Sequence, residues 1–177
     1  MADPTADPTA GLEIVRVGYG HPDAMRLIDE VQAEYVVRYG GPDRTPLDPL
    51  MFEPPTGSFF VGYLPSAEPA APVASGAWRS HDDVEALGSR RTAEVKRMYV
   101  VPSRRGEGLA RRMLAHLEQD AARAGHEVVI LETGTAQPEA IALYESSGYA
   151  PIPSFGYYRH APLNRCFAKP LRANLSA

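Results

Sequence analysis

Met98-Tyr99-Val100-Val101-Pro102-Ser103-Arg104-Arg105-Gly106-Glu107-Gly108-Leu109-Ala110 is the stretch on which the reading of this chain turns. An apolar, β-favouring run ends at Pro102. Two arginines and a Gly-x-Gly follow, and from Leu109 onward apolar residues recur at helical spacing. Strand, glycine-punctuated turn and helix N-terminus in that order make an anion receptor. Glycines let the backbone approach closely, the first helical N–H groups have no internal acceptor, and the helix dipole adds partial positive charge. A ligand bearing phosphate is the natural guest.

Two familiar phosphate loops do not fit. No Gly-x-x-x-x-Gly-Lys-Ser/Thr string occurs in the chain. A Rossmann fingerprint needs a strand running straight into its first glycine and a third small residue. Here Pro102 to Arg105 intervene and Arg111 stands where the small residue belongs, although Glu127 lies at a tolerable distance. Arg105-x-x-Gly108-x-Ala110 after a strand instead resembles the acetyl-CoA pyrophosphate motif, Arg/Gln-x-x-Gly-x-Gly/Ala, of the GNAT superfamily of N-acetyltransferases. The likeness extends to Ala93–Val100 as the central strand, Leu109–Ala124 as the long helix, Val128–Glu132 as the next strand and Ala140–Tyr149 as a second signature. In order and spacing it covers most of Val73 to Leu171. The resemblance implies an α/β (α+β) fold, with a central mixed, mostly antiparallel twisted sheet of six to seven strands and helices on both faces.

Composition narrows the possibilities. At 177 residues the chain has the size of one domain with a substantial core. A formal charge of −4 argues against an electrostatic nucleic-acid binder. The single cysteine, Cys166, excludes an internal disulfide and suits a reducing compartment. No apolar run approaches bilayer length, so no membrane partner is expected, and the N-terminus lacks the pattern of a secretory signal. A cytoplasmic location is the expectation. Ala-Asp-Pro-Thr occurs twice in tandem at Ala2–Thr5 and Ala6–Thr9, and a disordered tail over residues 1–11 is predicted ahead of one domain over 12–177.

Periodicity predicts strands over Leu12–Val17, Ser58–Leu64, Val73–Arg79, Ala93–Val101, Val128–Glu132, Tyr149–Ile152 and Arg165–Leu171. Helices are predicted over Asp23–Tyr39, stopped by Gly40-Gly41, over Gly108–Ala124, and from Pro138 to Ser147 with Gly148 as terminator. A short helix at Asp48–Phe52, a hairpin loop at Pro65–Pro72 and a polar loop at His81–Arg91 complete the outline. By strand alternation Glu94, Lys96, Met98 and Val100 share one face, and Val95, Arg97 and Tyr99 the other.

Acetyl transfer to an amine has three physical needs: a neutral nucleophile, a donor for the oxyanion, and a proton for the departing thiolate. Alkylammonium groups lose their proton near pH ~10, so a base or a desolvating site must favour the free amine. The resemblance points to Glu94, eleven positions before Arg105, as the base. An ion pair with Lys96 or Arg97 is an equally good reading of the same residue. Leu143-Tyr144-Glu145 matches the family's pattern for a tyrosine whose hydroxyl faces the coenzyme sulfur, which makes Tyr144 the expected acid and a coenzyme contact. A core aromatic beside Ile141 is the alternative. The resemblance further implies that the backbone of Met98, Tyr99 and Val100 pairs with the pantetheine arm and supplies an oxyanion donor. It implies that Arg104, Arg105, Gly106, Gly108, Leu109 and Ala110 cradle the diphosphate.

One departure stands out. The family's asparagine seven positions before the tyrosine is Gln137 here, which carries the same amide on a longer arm. The five histidines show no metal-ligand spacing and read as surface or loop residues, so no metal is expected. The resemblance further implies substrate contacts from Tyr35 and Arg38 on the first helix, Arg79 at the end of the third strand and Tyr157 in the late hairpin. That mixture suits a small-molecule amine that also bears a carboxylate. The leading expectation is therefore direct attack of a small-molecule primary amine, amino-acid-like or antibiotic-like, on acetyl-CoA in a ternary complex. A protein N-acetyltransferase and a non-catalytic acyl-CoA-binding module are the rivals, and a homodimer follows only by family analogy.

Overall fold

The computed structural model describes residues 11–65 and 70–171. The predicted tail, apart from Gly11, and residues 66–69 of the Pro65–Pro72 loop lie outside them. Seven strands and three helices follow one another: β1 (Glu13–Val17), α1 (Pro22–Tyr39), β2 (Gly57–Tyr63), β3 (Pro72–Ser80), β4 (Thr92–Val100), α2 (Leu109–Arg123), β5 (Val128–Gly134), α3 (Pro138–Ser146), β6 (Ala150–Ile152) and β7 (Asn164–Pro170). Short 3₁₀ turns at Pro49–Phe52 and Pro102–Arg104 complete the order. No described helix is long and apolar enough to cross a membrane.

Local chemistry sets the helix ends. His21 Nδ1 accepts the Asp23 N–H at 3.2 Å, Pro22 opens the first turn of α1, and Gly40 closes it at φ +79°. Pro138 opens α3 in the same way.

The strands form one sheet in the order β1-β2-β3-β4-β5-β7-β6. Every pairing is antiparallel except β4–β5, the parallel pair that needs α2 as its crossover. One face packs against α2 and α3 through Leu109, Met113, Leu117 and Tyr144 with Trp78, Val95 and Leu131 from the sheet. The other packs against α1 through Leu27, Ile28 and Val31 with Phe59, Val61 and Ala77. Truncating a fully buried anchor such as Leu117 to alanine costs about 2–5 kcal/mol in sites of this kind.

Two irregularities in β4 position the site. The first is its brief contact with β5, which pairs only Thr92 with Val128, Ala93 with Val129 and Glu94 with Ile130. Beyond Glu94 the strands diverge, leaving backbone edges of both facing a gap. The second corrects the expected alternation. The register on β3 passes from Ala77–Lys96 to Ser75–Tyr99, so Arg97 and Met98 together oppose Gly76. Arg97 sits at φ +56°, and Ser75 Oγ donates to its displaced carbonyl at 2.9 Å. This β-bulge inserts one residue and reverses the parity of everything after it. Tyr99 therefore joins Glu94 and Lys96 on the α1 face, while Met98 and Val100 join Val95 on the α2 face.

Candidate active site

The turn after β4 is built to receive an anion. Gly106 and Gly108 both adopt left-handed φ, +80° and +81°, and Gly108 caps α2 without any side-chain acceptor. Among the described residues the amides of Gly106, Glu107 and Gly108 have no backbone acceptor. Arg104 Nε is buried and unpartnered, although its Nη2 reaches Glu107 at 3.0 Å. Arg105 donates to the Val100 carbonyl at 2.9 Å, lies 5.4 Å from the centre of the Tyr99 ring, and pairs with Glu34 of α1. Unpaired amides, an orphaned guanidinium nitrogen and a helix N-terminus together fit a diphosphate.

This turn opens onto a cavity of about 570 Å³ that follows the β4–β5 gap. Met98, Tyr99, Val100, Arg104, Arg105, Gly106, Gly108, Leu109, Ala110, Gln137 and Tyr144 all line it. Tyr144 is buried on α3, its ring 5.7 Å from Tyr149 and 6.3 Å from Phe167. Burial, and secondarily the neighbouring Tyr35, pushes its phenol well above the usual tyrosine range, so it stays protonated at neutral pH.

A second cavity, of about 420 Å³, meets the first at Tyr35, Lys96, Thr133 and Gln137. The loop after α1 (Gly41–Arg44) and the turn before β7 (Tyr158–Asn164) close its outer side, and the Arg44 N–H donates to the Tyr158 hydroxyl at 2.7 Å across them. Glu132 lies in its wall near the end of β5. One carboxylate oxygen, Oε1, is 3.6 Å from Lys96 Nζ; the other, Oε2, is buried with no hydrogen-bond partner. Burial pushes the Glu132 carboxyl up against the pull of Lys96, and Glu94 and Asp43 push the same way. Tyr39 closes the junction from α1: its hydroxyl donates to Gln137 Oε1 at 3.2 Å. It lies so close to Gly134 that an added Cβ there would come within 2.1 Å of that oxygen.

A groove ending at an anion-receiving turn is thus joined to a second cavity that has a carboxylate in its wall. The model of the Acetyltransferase (GNAT) family matches residues 25–149, well over half of the chain. The chain belongs to the GNAT family. An IAA acetyltransferase from Azospirillum brasilense is 45% identical over 78 residues, which span 44% of this chain and 51% of that protein, about half its length. A structure from Klebsiella pneumoniae, assigned as an acyl-CoA N-acyltransferase, superposes with a TM-score of 0.72 at 27% identity, covering 91% of this chain and 98% of that one. The fold also matches yncA of Salmonella typhimurium, solved with its cofactor acetyl-CoA, at a TM-score of 0.61 and 18% identity over 94% of this chain and 97% of that one.

Within this GNAT site the sequence-predicted residues divide. Glu94 lines neither cavity. Only 1% exposed, it accepts from Arg79 Nε at 2.8 Å and from His81 Nδ1 at 2.9 Å, with Lys96 at 3.6 Å. Burial alone would raise its carboxyl, but the His81 hydrogen bond, Lys96 and Arg79 overcome this and hold it at about 2. A carboxylate so placed is a weak base; of the expected ion-pair partners Lys96 is near and Arg97 instead pairs with Asp43, while Arg79 and His81 make the direct hydrogen bonds. Arg79 is thereby committed to Glu94. Arg38 is committed to the Ala136 carbonyl at 2.8 Å and to Glu139 at 2.5 Å, tying α1 to α3. Tyr157 is 54% exposed and lines neither cavity, whereas Tyr35 lines both.

His81 departs from the surface reading, being 9% exposed and edge-on to Phe155 with ring centres 5.8 Å apart. Glu132, which sequence reasoning treated only as a strand end, is the residue it missed. A carboxylate directly after the apolar run Val128–Leu131, within the same predicted strand, was the available signal.

Proposed function

We propose that this GNAT enzyme moves an acetyl group from acetyl-CoA to the primary amine of a small molecule by direct attack in a ternary complex. The observation that carries this reading is the meeting of the two cavities at Tyr35, Lys96, Thr133 and Gln137, with Tyr144 on one side and Glu132 on the other. Acetyl-CoA, when bound, supplies an activated thioester carbonyl. Everything else falls to the chain. Amides of the Gly106–Gly108 turn and the two arginines hold the diphosphate. Unpaired backbone along the diverging half of β4 orders the pantetheine arm as an added strand and offers an N–H to the oxyanion.

Glu132 is the base in this reading. Its raised pKa makes it a better proton acceptor than an ordinary glutamate, and its Oε2 has no hydrogen-bond partner among the described residues. Tyr144, kept protonated by burial, gives its proton to the departing sulfur. Glu94 acts indirectly, as a positioning residue that fixes Lys96 beneath Glu132. The bridge from Arg44 to Tyr158 closes the acceptor side, which favours a small molecule over a protein chain lying across the sheet.

Free-thiol release from acetyl-CoA with a panel of primary amines tests the proposal. Turnover that depends on both substrates, intersecting in the initial-rate pattern, is expected. Coenzyme binding without turnover of any amine would mark a binding module instead.

A further inference from the structure

The acceptor cavity is specific about charge. Three carboxylates approach Lys96: Glu94 at 3.6 Å, Glu132 at 3.6 Å and Asp43 at 3.7 Å. Glu94 is saturated by Arg79 and His81. Asp43 is saturated by Arg97 Nη1 at 2.7 Å and by the hydroxyl and amide of Thr45 at 2.7 and 2.9 Å. Of the three, only Glu132 keeps a buried carboxylate oxygen without a hydrogen-bond partner among the described residues. A polyamine or aminoglycoside would bring several ammonium groups to a wall that already holds a buried lysine.

The opposite charge stands at the mouth. Arg44 lines the same cavity, is exposed, and has no carboxylate partner among the described residues. Arg38, Arg79, Arg97, Arg104 and Arg105, which surround the two cavities, each have one. Nor is Arg44 on a loose loop. Gln32 brackets the backbone of Asp43, accepting its N–H at 2.8 Å and donating to its carbonyl at 3.4 Å. Thr45 is fixed to the Asp43 side chain, and the Arg44 amide to Tyr158. Between mouth and base the surface is made of Tyr39, Tyr158, Pro42, Pro162 and Leu163. The space of about 420 Å³ falls within the usual range for small-molecule sites, ~300–1,000 Å³.

We infer that the acceptor is an amino acid with an aromatic or large apolar side chain, its amine at Glu132 and its carboxylate read by Arg44. This rests on the acetyl-transfer reading above and adds to it the substrate class and the residue that selects it. A planar guanidinium on a fixed loop receives a carboxylate in bidentate fashion, which a decarboxylated amine cannot exploit.

The test compares kcat/KM for phenylalanine and tryptophan with that for phenethylamine, tryptamine and spermidine, in the wild-type enzyme and in Arg44→Ala. The wild type should prefer each amino acid over its decarboxylated partner by at least about tenfold, with spermidine poorest. Arg44→Ala should bring that ratio close to one, through KM for the amino acid and with kcat little altered. Arg44→Lys should recover part of the preference. A wild type that favours spermidine or the decarboxylated amines, or a ratio that Arg44→Ala leaves in place, overturns the inference. Calorimetry with acetyl-CoA separates the two levels. Coenzyme binding with no amino acid turned over defeats the inference alone, whereas absence of coenzyme binding defeats the reading beneath it as well.

Discussion

Glu132 Oε1 stands 3.6 Å from Lys96 Nζ, while the other oxygen of the same carboxylate is buried without a hydrogen-bond partner among the described residues. Lys96 in turn lies 3.6 Å from Glu94, which Arg79 and His81 hold rigidly. One oxygen of Glu132 thus faces an ammonium fixed through the sheet, and the other has no partner among the described residues.

Glu132→Gln keeps the shape and removes the basicity. It should lower kcat/KM by about 10²–10⁴ at neutral pH, the usual worth of a positioned base. The Glu132 carboxyl lies above the ordinary glutamate value, and activity needs it deprotonated. The wild-type rate should therefore fall on the acid side at a pH above 4.5, and that limb should vanish in the variant. A pH–rate profile showing the same limb in both proteins would remove Glu132 from the role.

Tyr144→Phe deletes one hydroxyl from the coenzyme cavity and leaves the ring packed on Tyr149 and Phe167. Turnover should drop by about tenfold or more, with the dissociation constant for acetyl-CoA within about twofold of wild type. Calorimetry and steady-state rates on the same preparation decide it. A wild-type kcat in Tyr144→Phe leaves the residue as an ordinary core aromatic.

Acid should unfold this protein partly through Glu94 and Asp43, both held at about 2 against ordinary values of 4.5 and 3.8. Groups whose folded pKa is depressed contribute stability that is complete above their unfolded pKa and lost as pH falls toward the folded one. Urea midpoints should therefore be level above about pH 5 and decline between roughly pH 4.5 and 2. Glu132 acts with the opposite sign, since its folded form holds a proton more tightly, and softens that decline. Glu94→Gln should flatten the slope and, by stranding Arg79, cost about 3–5 kcal/mol at neutral pH.

Much of this architecture is legible in the chain, and the parts that are not share a cause. The bounds of α1, α2 and α3 follow from local signals: apolar spacing, Pro22 and Pro138 in first turns, Gly40 just past an end. The glycine turn after β4 is equally local, six residues that carry their own geometry. The parity of β4 is not local. Its bulge depends on Gly76 and on Ser75 Oγ from the neighbouring strand, and alternation alone puts Met98, Val100 and Tyr99 on the wrong faces. The substrate expectation strays for the same reason. Arg38 and Arg79 find structural partners 98 and 15 residues away, while the acceptor wall is assembled from Glu132, Lys96 and Arg44 on three separate elements.

Gly134 gives a steric test of the junction. A methyl group there would collide with Tyr39, whose hydroxyl holds Gln137. Gly134→Ala should displace the Tyr39 ring and raise KM for the amine by about tenfold, the scale of a misplaced positioning contact. Wild-type KM would mean that the ring moves aside without consequence.

The short ladder between β4 and β5 makes the sheet a seamed object, two panels joined along three residue pairs. Under the proposed function, a coenzyme lodged in the split would serve as a splint as well as a reagent. Saturating it at a hundred times its dissociation constant should add about 2.7 kcal/mol. For a domain of this length that raises the thermal midpoint by roughly 5–10 °C. Amide exchange should slow along both lips of the seam, at Lys96–Val100 and Leu131–Gly134, so the cell's supply of its acyl donor also sets how long this fold endures.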